Sequence, residues 1–125
     1  MAVGKVAGER FIAAIEPWHG NELVVYRKGE HGWKRIVIDD SLIEGHTILT
    51  ADLDGDGSDQ IVVGFRGGGG SVRIYTADLK GSWAKSVLDK AIPANACTVA
   101  DLSGHHGPDI ACIGGSSLKW YEHLR

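Results

Sequence analysis

The segment ADLDGDGSDQIVVG, beginning at Ala51, returns as ADLSGHHGPDIACIGG, beginning at Ala100, 49 positions later. A chain that repeats at a fixed period is constrained to stack copies of one supersecondary unit, because one copy cannot bury its hydrophobic face alone. Within this pair Ile61 falls on Ile110. One copy earlier, GERFIAA from Gly8 aligns with SDQIVVG from Ser58 at a shift of 50, which sets Phe11 on Ile61. Tyr26, Tyr75 and Tyr121 recur after the second strand of each copy, and Trp33 falls on Trp83. The runs RIVID (Arg35–Asp39) and KSVLD (Lys85–Asp89) also coincide. The copies span about 1–46, 47–95 and 96–125 of a single module.

Each copy reads as four short strands. In the middle copy, strand A is Thr47–Leu53, strand B Gln60–Phe65, strand C Ser71–Thr76 and strand D Ala84–Asp89. These runs are rich in Val, Ile and Tyr and are separated by turns containing Gly or Asp. Glycine supports the reading, since 18 of 125 residues is about twice ordinary usage and implies many tight turns. No segment shows sustained helical spacing with start and stop signals, and 40–45 holds a single turn at most. A period near 50 with four strands per unit is the signature of an all-β fold of β-propeller blades. Counting back 50 from Ala51 reaches Met1, and the last copy stops just after strand C. The expected order is therefore B-C-D, A-B-C-D, A-B-C, about two and a half blades of antiparallel strands. Propellers close into rings of roughly four to eight blades. Such a chain would leave apolar blade faces uncovered. It is either an excised or engineered piece of a larger propeller with no ligand of its own, or a unit that self-association into a homo-oligomeric ring completes, and the second is the expectation.

Composition excludes several function classes. A formal net charge of −3, with no clustered basic face, argues against nucleic-acid binding. No apolar stretch approaches the roughly 18 residues of a membrane span, and the N-terminus lacks a signal-peptide pattern. Cys97 and Cys112 sit in apolar runs without metal-binding spacing. They read as buried free thiols acting as small hydrophobes, with a disulfide open if their strands are neighbours. There is no GxSxG, no HExxH and no paired Cys/His arrangement, so no catalytic residues are assigned.

The sharpest chemical motif is the loop from Asp52 to Asp59. It puts carboxylates at Asp52, Asp54, Asp56 and Asp59 with Gly55 and Gly57 between them. Hard cations such as Ca²⁺ take six to eight oxygens at about 2.3–2.6 Å, and alternate aspartates on a curled loop supply them. Without a cation, carboxylates this close raise one another's pKa values. The competing reading is an acidic turn held by Asx hydrogen bonds, with no metal. DxDGDG matches the first half of an EF-hand loop, but Val63 stands where the bidentate Glu belongs and no helices flank it, so an EF-hand is rejected.

The motif and its repeat resemble the FG-GAP/VCBS family, known from integrin α-subunit propellers, fungal propeller lectins and many bacterial secreted proteins. The resemblance implies a calcium ion held between strands A and B and a secreted or extracellular setting. By position it implies that Asp52, Asp54 and Asp56 are side-chain ligands and that Ser58 gives a backbone carbonyl. The family's final Asp falls on Gln60, a departure that Gln60 itself or Asp59 would have to cover at some cost in affinity. Only one site is expected. The third copy offers Asp101, Ser103, His105, His106 and Asp109, with the adjacent histidines more in keeping with a solvated turn. The first offers no carboxylate before Glu9.

The least repeat-like loop holds Glu16, Trp18, His19 and Asn21. An aromatic face beside polar atoms suits a carbohydrate, giving a lectin-like reading, whereas packing of Trp18 on a neighbouring blade is the plain alternative. Trp33 and Trp83, recurring before strand D, read as structural packing, and Trp120 as blade core. The Gly67–Gly70 run lacks a following helix and is no phosphate cradle. The segment IEPWHGNELVVY is also similar to part of the propeller of aldos-2-ulose dehydratase-type lyases. That resemblance implies a metal-binding or general-base role for His19, although the remaining machinery would need further blades.

Overall fold

The computed structural model describes residues 1–105 and 107–123. Strand formation follows the alternation and β-branched content of the runs, and the result is an all-β architecture of three antiparallel meanders. Sheet 1 contains β1 (Ala2–Val6), β2 (Glu9–Glu16), β3 (Glu22–Gly29) and β4 (Gly32–Asp39). Sheet 2 contains β5 (Gly45–Ala51), β6 (Gln60–Phe65), β7 (Ser71–Ala77) and β8 (Trp83–Asp89). Sheet 3 contains β9 (Ala96–Ala100), β10 (Asp109–Gly114) and β11 (Ser117–Tyr121). The one helical element among the described residues is a 3-10 turn at Gly67–Gly69, inside the glycine run. No helix is long and apolar enough to cross a membrane.

The expected B-C-D order of the first copy is corrected, because a full first strand, β1, precedes β2. The cause is a shortened connection. Where sheet 2 spends eight residues between Ala51 and Gln60, the β1–β2 hairpin turns on Ala7 and Gly8, both at positive φ. The two-residue turn hides β1 from a count of 50. Cross-strand pairing fixes the true offset: Ile12 faces Tyr26, Ile61 faces Tyr75 and Ile110 faces Tyr121. Ile12 is therefore the counterpart of Ile61. Phe11 instead corresponds to Gln60 and Asp109, and its ring lies over Gly4, where any Cβ would meet it at 2.4 Å.

The sheets stack in one direction. Phe11, Ala13, Leu23 and Val25 of sheet 1 pack on Ile61, Val63, Phe65 and Tyr75 of sheet 2. The opposite face of sheet 2, with Val62 and Val72, packs on Ile110 and Cys112 of sheet 3. Alternation along each strand makes this possible, since successive residues serve opposite neighbours. β6 is accordingly buried along its whole length. The first strands β1, β5 and β9 line up along one edge, where neighbouring sheets approach.

A polar clamp repeats at each sheet junction. Asp39, at the end of β4, accepts hydrogen bonds from Tyr75 Oη (2.5 Å) and Arg73 (3.1 Å) of sheet 2, with Lys85 at 3.5 Å. Asp89, at the end of β8, accepts from Tyr121 Oη (2.6 Å) and Lys119 (3.1 Å) of sheet 3. Each aspartate also accepts a backbone N–H two residues on, from Ser41 or Ala91, and so shapes the turn into the next sheet. Trp83 packs edge-on against Phe11 at 5.3 Å between ring centroids, a packing role consistent with its recurrence.

Two further expectations change. Cys97 and Cys112 are not free thiols but form a disulfide, because they face each other across the β9–β10 pair with Cα atoms 4.1 Å apart. Closing a loop of this length contributes about 3 kcal/mol in the chain-entropy treatment. Trp120 is not core: it pairs with Ala111 on the outward face of sheet 3 and is 52% exposed. The sequence shows the alternation of β11 but not that no further sheet covers that face.

Burial pushes the Asp39 carboxyl up, yet the Ser41 and Tyr75 hydrogen bonds and the Lys85 charge outweigh it and hold the value at about 2. A folded-state value below the ordinary 3.8 stabilises the fold above pH 4 and ceases to do so as pH falls through the folded value. Acid titration followed by circular dichroism is expected to show a loss of about 2 kcal/mol between roughly pH 4 and pH 2 that Asp39→Asn lacks.

Candidate functional site

The loop between β5 and β6 is built on Asp52. Its carboxylate accepts the backbone N–H groups of Gly55 (2.9 Å), Asp56 (3.2 Å) and Gly57 (2.9 Å). Gly55 and Gly57 have φ of 76° and 89°, a left-handed conformation that lets the chain curl around one point. Gln60, buried at the start of β6, closes the loop from below. Its carbonyl oxygen accepts from Leu53 N at 2.7 Å and its amide donates to Asp54 Oδ2 at 3.1 Å.

Asp52, Asp54 and Asp56 then converge, with one oxygen from each inside a sphere where all lie within 4.8 Å of one another. Three carboxylate oxygens this close could hold a metal ion between them. The electrostatics differ within the trio. Amide donors, Gly57 first, pull the Asp52 carboxyl down. Partial burial and the neighbouring Asp56 push Asp54 up. Asp54 and Asp56 are thus the part of the loop that would gain from a cation.

The third copy provides an internal control. Asp101 accepts Gly104 N at 2.8 Å, as Asp52 accepts Gly55 N, and buried Asp109 accepts Leu102 N at 2.8 Å, as Gln60 accepts Leu53 N. Asp109 also accepts from Ser103 and His123, and the backbone N–H of His123 leads in lowering its carboxyl to about 2. Ser103 and His105 stand where Asp54 and Asp56 stand, and His105 Nδ1 lies 2.9 Å from Glu122. His106 falls outside the described residues. Two of the bonds that hold the β5–β6 loop thus recur in the third copy, where Ser103 and His105 replace Asp54 and Asp56 and His105 N donates to Ser103 Oγ at 3.3 Å.

The structure separates the remaining sequence-named ligands. Asp59 turns away from the trio, accepting Lys5 N and donating its own N–H to Lys5 O, both at 2.8 Å. Ser58 Oγ accepts Ala7 N at 3.1 Å. These bonds tie the loop to β1 and to the β1–β2 turn of the adjacent sheet. Gln60 acts as a brace with its carbonyl already engaged.

The second cluster is reorganised too. Trp18 and His19 lie 4.6 Å apart with their rings tilted by 36°, and His19 lies parallel to His46 at 4.9 Å. His46 Nδ1 donates to the Asn95 carbonyl at 2.7 Å, so its Nε2 faces outward as an acceptor when the ring is neutral. Glu16 is engaged elsewhere, by Tyr26 Oη and by Arg35 at 2.7 Å, and Asn21 holds the Asp40 carbonyl at 3.1 Å. Sequence reasoning missed His46, which sits 27 positions from His19 at the start of β5. Its only signal was a histidine where the third copy has Asn95. Comparison with protein-family models and with curated proteins finds no match to this chain.

Proposed function

We propose that this chain is an FG-GAP/VCBS-type β-propeller module that holds one Ca²⁺ ion in the β5–β6 loop and completes its ring with further copies of itself. The observation that carries the cation reading is the pair Asp54 and Asp56. Their carboxylates converge with that of Asp52, and Asp56 helps to raise the Asp54 carboxyl, a repulsion that a bound cation would relieve. Asp52, Asp54, Asp56 and the Ser58 carbonyl are the ligands in this reading, with water filling the remaining positions. The ion's role is structural. Through Asp59 and Ser58 the loop grips β1, so the cation stiffens a junction between sheets. The disulfide supports an oxidising, extracellular setting.

A second reading concerns ligand binding. Trp18 is 85% exposed and extends a row of rings through His19 to His46. That exposure goes against Trp18 packing within this chain and supports a platform for the C–H face of a sugar, with imidazole nitrogens for its hydroxyls.

Titration calorimetry and thermal unfolding test the first reading. Ca²⁺ in hundredfold excess over Kd is expected to add about 2.7 kcal/mol and raise Tm by several degrees, reversibly on chelation. The double variant Asp54→Asn/Asp56→Asn should fold and show neither effect. Affinity should fall as pH is lowered toward the raised Asp54 value, since proton and cation compete for that carboxylate. No heat and no Tm shift at millimolar Ca²⁺ would sink the reading. For the second, Trp18→Ala should abolish retention on the glycans that hold the wild type, and a wild type silent across a glycan array would count against it.

A further inference from the structure

We infer that the outward face of sheet 1 is a docking surface for the outward face of sheet 3 of a second copy, so that two chains close one six-sheet ring head to tail. The inference rests on the ring-completion reading above and adds which faces meet, in what polarity and how many copies take part.

The polarity comes from the internal junctions. In both, the face carrying the Ile–Tyr pair looks back at the preceding sheet: Ile61 and Tyr75 toward sheet 1, Ile110 and Tyr121 toward sheet 2. In sheet 1 that face carries Ile12, Tyr26, Val3, Val37 and Trp33, and among the described residues no sheet lies upon it. Val3 and Trp33 are 56% and 54% exposed, although Trp83, the counterpart of Trp33, is packed on Phe11. At the other end the forward face of sheet 3 exposes Ile113, Leu118 and Trp120. The corresponding forward-facing positions are buried at Leu23, Val25 and Val72 and half-buried at Ile15 and Ile74. The two open faces are thus the two unlike halves of a contact the chain already makes twice. A contact between unlike faces generates a ring or an open filament rather than a face-to-face pair. Two copies give six sheets, within the roughly four to eight that close, whereas three would give nine.

The polar clamp agrees. At the internal junctions Tyr75 with Lys85, and Tyr121 with Lys119, receive an aspartate from the fourth strand of the preceding sheet. Tyr26 and Arg35 occupy the same positions in sheet 1, paired across β3–β4 as Tyr75 and Lys85 pair across β7–β8. Sheet 3 has no fourth strand among the described residues to bring an aspartate. Glu16 supplies the carboxylate from within sheet 1, and its hydrogen bonds from Tyr26 and then Arg35 lower its pKa. The face is therefore charge-balanced for a neighbour that arrives without that acid.

Sedimentation mass against concentration tests this with Trp33→Asp and Trp120→Asp, each checked for folding by circular dichroism. Wild type should reach twice the 13.3 kDa chain mass. Each variant should weaken association at least about tenfold, and an equimolar mixture should regain part of it, because one intact contact forms between the unlike variants. Val3→Asp and Leu118→Asp should repeat the pattern. A like-face dimer would leave one variant as associated as wild type with no gain on mixing, and either result overturns the polarity while leaving ring completion standing. A wild type of single-chain mass at all concentrations overturns both.

Discussion

The carboxylate that ends the fourth strand of a sheet and is held by a tyrosine and a cation from the next is the interaction on which this structure depends. Hydrophobic stacking supplies most of the free energy, but stacked sheets of Val and Ile can slide or invert with little loss. Asp39 and Asp89 remove that freedom. Each accepts a phenol and a charged nitrogen from the following sheet while capping the turn that leads into it. Charge-assisted bonds of this kind are the stronger class, and little water reaches Asp39, whose side chain is 7% exposed. One acid thus fixes both where the chain turns and where the next sheet lies.

The acidic loop builds on that order. Once sheets 1 and 2 are in register, the β5–β6 loop lies against β1, where Lys5 N donates to the Asp59 carboxylate and Asp59 N donates to the Lys5 carbonyl. Asp52 accepts three loop amides and holds the shape, whereas Asp54 accepts one amide from Gln60 and Asp56 one from Ser58. One oxygen of each of the three carboxylates lies within 4.8 Å of the others. In the third copy Asp101 keeps the bond to Gly104, while Ser103 and His105 replace the other two carboxylates.

Much of the architecture was legible because repetition is legible. The tyrosines mark equivalent positions on β3, β7 and β11, and the RIVID and KSVLD runs mark β4 and β8, ending on the clamp aspartates. What escaped notice was set by pairing rather than by spacing. Replacing an eight-residue loop with a two-residue turn moved the first copy's offset by one, which hid β1 and set Phe11 on Ile61 in place of Ile12. The disulfide depended on β9 and β10 aligning Cys97 with Cys112. In the loops, the residue types singled out three aspartates whose carboxylates do converge, but Asp59, Gln60, Glu16 and Asn21 proved to have partners of their own in the folded chain. His46 was missed because two histidines distant in sequence carry no pattern.

A double-mutant cycle between Asp39 and Tyr75 measures the governing interaction most directly. Asp39→Asn, Tyr75→Phe and the double variant would be compared with wild type by denaturant unfolding. A coupling energy of at least about 1 kcal/mol at neutral pH is predicted, shrinking below pH 3 as the carboxylate is protonated. Strict additivity of the two substitutions at neutral pH would contradict the account.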